Sequence, residues 1–207
     1  MTYALRLTIY IVSAVLGGAC LCLFLFYGPI KRMLYKHFTV RMYYRDVRKV
    51  TLDHDFFLIN DFMNKFGGAE SFHIDHIMIG DKFIYCIRDR YYPGVIEAKE
   101  DDPKWLYYCG KKKTAINNPL LLNKLRVERL SLITAIDSKE LISIVLVNND
   151  CMMTPLSLTK SDSFLVSLKK FPKLIELLES QDVPPLDPNS AALLARDFSE
   201  LNLNGKK

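Results

Sequence analysis

Two constellations of charged residues share one short stretch, "IYCIRDRYYPGVIEAKE", Ile84 to Glu100. Near its end stands Glu97-x-Lys99, and nine residues earlier stands Arg88-Asp89-Arg90. A Glu-x-Lys pair suits metal-dependent phosphodiester cleavage. Two carboxylates must converge on Mg²⁺, a hard cation that takes oxygen ligands in octahedral geometry. The ion then polarises the phosphoryl group and activates water. On a strand, residues i and i+2 face the same way, so the acid and the lysine sit side by side. An Asp on a neighbouring strand completes the set. Arg88 and Arg90 cannot do this work. A guanidinium stays protonated and has no lone pair to offer a metal or a proton. Two of them on one face can instead fork to phosphate oxygens. Asp89 lies between the arginines and so faces the other side, unless a bulge turns it inward.

The elements that must position these residues are legible in outline. "FFLINDFM" (56–63) reads as a strand closed by Gly67-Gly68. "FHIDHIMI" (72–79) and "KFIYCIRD" (82–89) flank Gly80-Asp81 and form a hairpin. "KWLYYC" (104–109) is a further short strand. Asn118 caps a helix with Pro119 at its first position. Leu121, Leu125, Leu132 and Ile136 fall on one face of it, the expected core face. "ELISIVLVN" (140–148) is a continuous apolar run, as in a strand covered on both sides. A second helix is expected at about 171–180, after Phe171-Pro172. "QDVPPLDPNS" (181–190) is a linker by composition, and Ala191, Leu194, Phe198 and Leu201 then make a short amphipathic face, expected to dock on its own domain, with a partner as the alternative. Strands followed by helix, buried strand and helix define an α/β domain.

A separate segment precedes this domain. Leu7 to Tyr27 carries no charge, and at 1.5 Å per residue it spans about 30 Å, the thickness of a bilayer core. Its h-region is too long for a cleaved signal peptide and lacks the small-residue cleavage site. Gly28-Pro29 breaks the apolar run, and residues 28–52 read as a basic, helical juxtamembrane segment. Residues 1–50 hold eight Lys and Arg and one acid, whereas the rest of the chain holds 20 against 22. The net charge of +5 is therefore juxtamembrane. Basic residues belong on the cytoplasmic side, which places the N-terminus outside and the domain in the cytoplasm of a single-pass protein of the cell membrane. Lys31, Arg32 and Lys36 would meet anionic lipid there. A near-neutral domain argues against strong nonspecific binding of nucleic acid. The five cysteines show no CxxC spacing; Cys86, Cys109 and Cys151 read as reduced thiols.

The order "FLIND…IDHIMIG…FIYCI…YYPGVI…W…NP…ISIVLVNNDC" over about residues 45–180 resembles the nuclease-related domain, NERD. That family resembles the PD-(D/E)xK restriction-endonuclease-like superfamily, which implies a central mixed sheet flanked by helices. The resemblance also implies a catalytic Asp at Asp75 and a Glu-x-Lys about 13 residues later. The residues found there are Arg88-Asp89-Arg90, and Tyr91-Tyr92-Pro93-Gly94 then match the turn that follows. Glu97 and Lys99 lie beyond that glycine and are a decoy. Leu122 stands where the family has a glutamine, and Asp46 alone could serve as its first-helix acid.

The sequence thus predicts a membrane helix at 7–27, a NERD-like domain at 53–180 with a degenerate motif at Asp75, Arg88 and Arg90, and a C-terminal segment at 181–207. No cofactor or metal is expected. Arg88 and Arg90 are expected to form an ion-pair cluster with Asp75 and are also candidate phosphate ligands, with nucleic-acid binding weak or absent. The competing reading is an active Mg²⁺-dependent nuclease built on Asp75 and Asp89. His73 and Asp75 share a face and His76 opposes them, so no histidine-centred metal site is required.

Overall fold

The computed structural model describes residues 3–68, 70–99, 101–153 and 162–204, with 3–7, 32 and 35–42 described by backbone alone. The chain divides into two units, Met1–Phe38 and Thr39–Lys207. Helix α1 runs Tyr3–Asp53 with Pro29 inside it, so the apolar run and the basic segment after Gly28-Pro29 lie on one helix. Within the first unit, Thr8–Lys31 has a mean hydropathy of 2.4 and is long and apolar enough to cross a membrane.

The second unit is α/β, with two mixed sheets. The larger has five strands in the order β1-β2-β3-β7-β9. These are β1 (Phe57–Phe66), β2 (Glu70–Ile79), β3 (Ile84–Arg90), β7 (Leu141–Val147) and β9 (Ser163–Ser167). The hairpin of β2 and β3 forms as expected, antiparallel with Ile79 opposite Ile84 and His76 opposite Ile87. Its turn is closed by Gly80 N–H donating to the Phe83 carbonyl at 2.9 Å. Glu179 secures it by accepting from Tyr85 Oη at 2.6 Å and from the Lys82 amide at 3.1 Å. β3 then runs parallel to β7, Arg88 opposite Val145 and Arg90 opposite Val147. Every residue of β7 is buried, as its unbroken apolar sequence requires.

The smaller sheet has the order β6-β5-β4-β8. It comprises β4 (Val95–Glu97), β5 (Lys104–Cys109), β6 (Lys112–Asn117) and β8 (Met152–Met153). Trp105 packs there with Ile96, Leu120, Val145 and Val147. Gly94 permits this sheet to close, because a Cβ at that position would be driven into the Tyr108 carbonyl.

Helices cover the large sheet on both faces. Thr51 of α1 donates to Met78 Sδ at 3.4 Å, and α3 (Phe171–Glu179) reaches Tyr85 on that same side through Glu179. On the other side lies α2 (Pro119–Thr134), capped by Asn118, whose side-chain oxygen accepts from the Leu120 and Leu121 amides. The core face of α2 is not the expected one. Leu120, Asn123, Val127 and Leu130 are buried, whereas Leu125 and Leu132 are 52% and 70% exposed. The reason is Asn123, a polar residue inside the core stripe. Its side-chain amide donates to the Cys86 carbonyl at 3.0 Å and to Ser143 Oγ at 2.9 Å, which makes its burial tolerable. Counting apolar residues alone rotates the helix away from it.

Helix α4 (Pro188–Leu201) buries Ala191 and Phe198 in the main core, docking on its own domain as expected. Beyond it, Asn202 Oδ1 accepts from the Met63 amide at 3.1 Å, and the Leu203 amide donates to the Met63 carbonyl at 2.9 Å. These bonds line the outer edge of β1.

Candidate functional site

β3 carries alternate side chains into two different layers. Cys86 packs with Val127 and Leu130 of α2, so Arg88 and Arg90, two and four residues on, present to the α2 side. Asp89 presents to the α1 side. No bulge interrupts this alternation, since β3 stays in register with β7 from Ile84 to Arg90.

On the α2 side, Asp75 is 2% exposed and both its carboxylate oxygens are engaged. Oδ1 accepts from Arg88 Nη1 at 2.6 Å. Oδ2 accepts from the backbone amide of Asp89 at 2.8 Å. The ordinary β2–β3 register ends at His76–Ile87, and the Asp75 side chain takes over where it stops. Arg88 Nη1 also meets the His73 ring, and His73 Nε2 lies 2.5 Å from Asp61 Oδ1 at the solvent edge. Burial pulls the Arg88 guanidinium below its ordinary range, and the Asp75 charge opposes that shift. Its Nε is buried with no acceptor among the described residues. Arg90 turns one guanidinium nitrogen onto the Asp89 carbonyl at 2.8 Å.

On the α1 side lies a second polar group. His76 is fully buried, with Nε2 2.9 Å from Asp89 Oδ2 and Nδ1 2.7 Å from Asn60 Oδ1. Tyr44 of α1 stacks over its ring at 6.4 Å. Burial pushes the Asp89 carboxyl up to about 6, against the hydrogen bond from His76. Asp75 and Asp89 therefore meet through a side chain and an amide, while their carboxylates occupy opposite faces.

The remaining sequence-predicted positions are dispersed. Glu97 is exposed on β4 and accepts from Tyr108 Oη at 3.0 Å. Lys99 is exposed, and its carbonyl anchors Trp105 Nε1 at 2.7 Å. Asp46 stands beside Arg45 at 3.9 Å. Leu122 is 37% exposed, and its carbonyl accepts from Arg126 Nη1 at 2.8 Å. The side chains of Arg32 and Lys36 lie outside the described residues.

Arg126 is the residue the sequence reading missed. It stands one turn beyond Asn123, which is tied to the Cys86 carbonyl. Burial, together with the charges of Arg88 and Arg90, lowers its guanidinium to about 10. Its only sequence signal is the helical spacing from Leu122. A metal ion does not fit this donor set. The Asp75 oxygen it would need is held by Arg88, and among the described residues no group of three His, Cys, Asp or Glu converges.

A mixed sheet covered by helices, with an Asp on one hairpin strand answering the end of the next, makes this an α/β domain. The chain belongs to the nuclease-related domain family, whose model matches residues 39–148. No curated protein matches it. The crystal structure of AF1548, a protein of unknown function, is similar at 12% identity over 77% of this chain and 79% of that one, with a TM-score of 0.33.

Two outcomes follow from this geometry. Asp75→Ala leaves a largely buried guanidinium unpaired and should cost about 3–5 kcal/mol in denaturant unfolding. Adding Arg88→Leu should restore part of that loss, and simple additivity of the two changes would refute the pairing. Asp89 gives a pH signature. Its folded pKa of about 6 is raised above the unfolded value, so protonation favours the fold. Its contribution is full below about pH 4 and is lost as pH rises through 6, by up to about 3 kcal/mol. Relative to Asp89→Asn, the natural protein should lose stability across that window; parallel stability curves would contradict this.

Proposed function

We propose that this protein is a membrane-anchored, cytoplasm-facing member of the family that has exchanged metal-dependent cleavage for metal-free anion binding. The observation that carries this reading is the Arg88–Asp75 pair at 2.6 Å. A guanidinium where the chemistry needs a carboxylate removes one metal ligand, occupies the other and repels the ion. Asp89, the remaining acid of the motif, is bound to His76 on the opposite face, which argues against its use beside Asp75. Two arginines against one carboxylate leave the site net positive. Arg88 and Arg90 then serve as phosphate ligands in a binding or assembly module, with nucleic acid held weakly or not at all.

The anchor is the apolar stretch Thr8–Lys31. The basic residues after it support a cytoplasmic domain in this reading, with Lys31, Arg32 and Lys36 meeting anionic headgroups.

Purified protein incubated with labelled DNA or RNA and Mg²⁺ or Mn²⁺ should show no cleavage. Calorimetry should find no Mn²⁺ site in the natural protein and a weak one in Arg88→Glu/Arg90→Lys, which sets two carboxylates beside one lysine. Mg²⁺-dependent cleavage abolished by Asp75→Ala would falsify the reading. For topology, protease added outside intact cells should leave residues 51–207 uncut. Their digestion would reverse the orientation.

A further inference from the structure

We propose that Arg88, Arg90 and Arg126 together form a binding site for a phosphomonoester dianion, with α2 supplying the third guanidinium. This rests on the anion-binding reading above and names its ligand class.

The geometry brings the three together from two elements. Arg88 and Arg90 alternate onto the α2 side of β3, behind Cys86. α2 is fixed against that side by Asn123, which binds the Cys86 carbonyl and Ser143 Oγ. Val127 and Leu130 pack in the same cluster as Cys86. Arg126 flanks this buried stripe, and its Nη1 bond to the Leu122 carbonyl holds the side chain along the helix. The next arginine of α2, Arg129, is committed elsewhere, 2.6 Å from Glu70 Oε2 and over the Phe66 ring.

The charges on this side do not cancel. Arg88 pairs with the one buried carboxylate, Asp75, and Arg90 and Arg126 add two further positive charges on this side, a net charge of about +2. Asp61 lies at the rim, 61% exposed and bonded to His73. Burial is the main cause of the lowered range of Arg126, and the charges of Arg88 and Arg90 add to it. A buried donor is also unspent, since Arg88 Nε has no acceptor among the described residues. A bound oxygen would satisfy it. A phosphomonoester carries close to two negative charges and three terminal oxygens, which suits forked donors from three directions. A diester carries a single charge and two terminal oxygens, and leaves part of this field uncompensated.

The test uses the full chain in maltoside micelles, in buffer free of phosphate and sulfate. Methyl phosphate and dimethyl phosphate are titrated by calorimetry without divalent ions and again with Mg²⁺. Methyl phosphate should bind without metal, at least tenfold more tightly than dimethyl phosphate. Arg126→Gln should weaken it at least fivefold, Arg126→Lys by less, and Arg129→Gln should leave it unchanged, all with unaltered melting temperature. Equal affinity for the two esters, or full affinity in Arg126→Gln, would overturn the proposal while leaving metal-free anion binding intact. Binding of either ester only when Mg²⁺ is present would instead overturn the anion-binding reading itself.

Discussion

The pair of Asp75 and Arg88 sets the terms for the rest of the domain. Burying two ions costs several kcal/mol each, and attraction repays this only when the other polar atoms are also satisfied. Asp75 meets that condition by spending one oxygen on the guanidinium and the other on the Asp89 amide. The pair also fixes strand register. Sliding β2 by one residue would send Asp75 into the layer of Asp89 and bring His76 against Arg88. Like charges would then be buried together on one face and two donors on the other. Few apolar contacts could enforce a register so sharply.

Position 89 is where the two layers communicate. Its amide serves the arginine side and its carboxylate serves the histidine side. A change at either side chain is felt by a residue whose backbone also runs in the parallel ladder to β7. α1 closes the histidine side through Tyr44, and Tyr43 Oη donates to the Arg90 carbonyl at 3.0 Å. The end of β3 is thus held from above, below and alongside.

Much of this was legible in the sequence, and the failures share a cause. The hairpin of β2 and β3 followed from alternation and the Gly80-Asp81 turn, and β7 from its continuous apolar run. The opposition of Arg88 to Asp75 followed from counting along two strands. β4, β6, β8 and β9 were not read as strands. β6 is "KKTAIN", with exposed residues at nearly every position, and its pairing with β5 supplies order that its own side chains do not. The α2 face was misplaced because a buried amide counts as polar in any periodicity, although its hydrogen bonds make it a core residue. Arg126 was missed for the same reason. Its role depends on what α2 packs against, and one helix read alone does not contain that.

The C-terminal segment has a consequence for handling the molecule. β1 is an edge strand, and an edge offers its free backbone groups to any extended chain that approaches. Here that row is met by Asn202 and Leu203 at Met63, and by Asn64, whose side chain binds the Leu201 carbonyl. The helix and the turn after it act as a selvedge, the woven border that keeps a cloth from unravelling into its neighbour. Trimming the protein at the Pro-rich linker would look harmless on the page. It would strip that border, expose Phe62 and Phe72 along with the strand's outer rim, and invite sheet-to-sheet aggregation in a molecule whose Asp75–Arg88 pair was untouched.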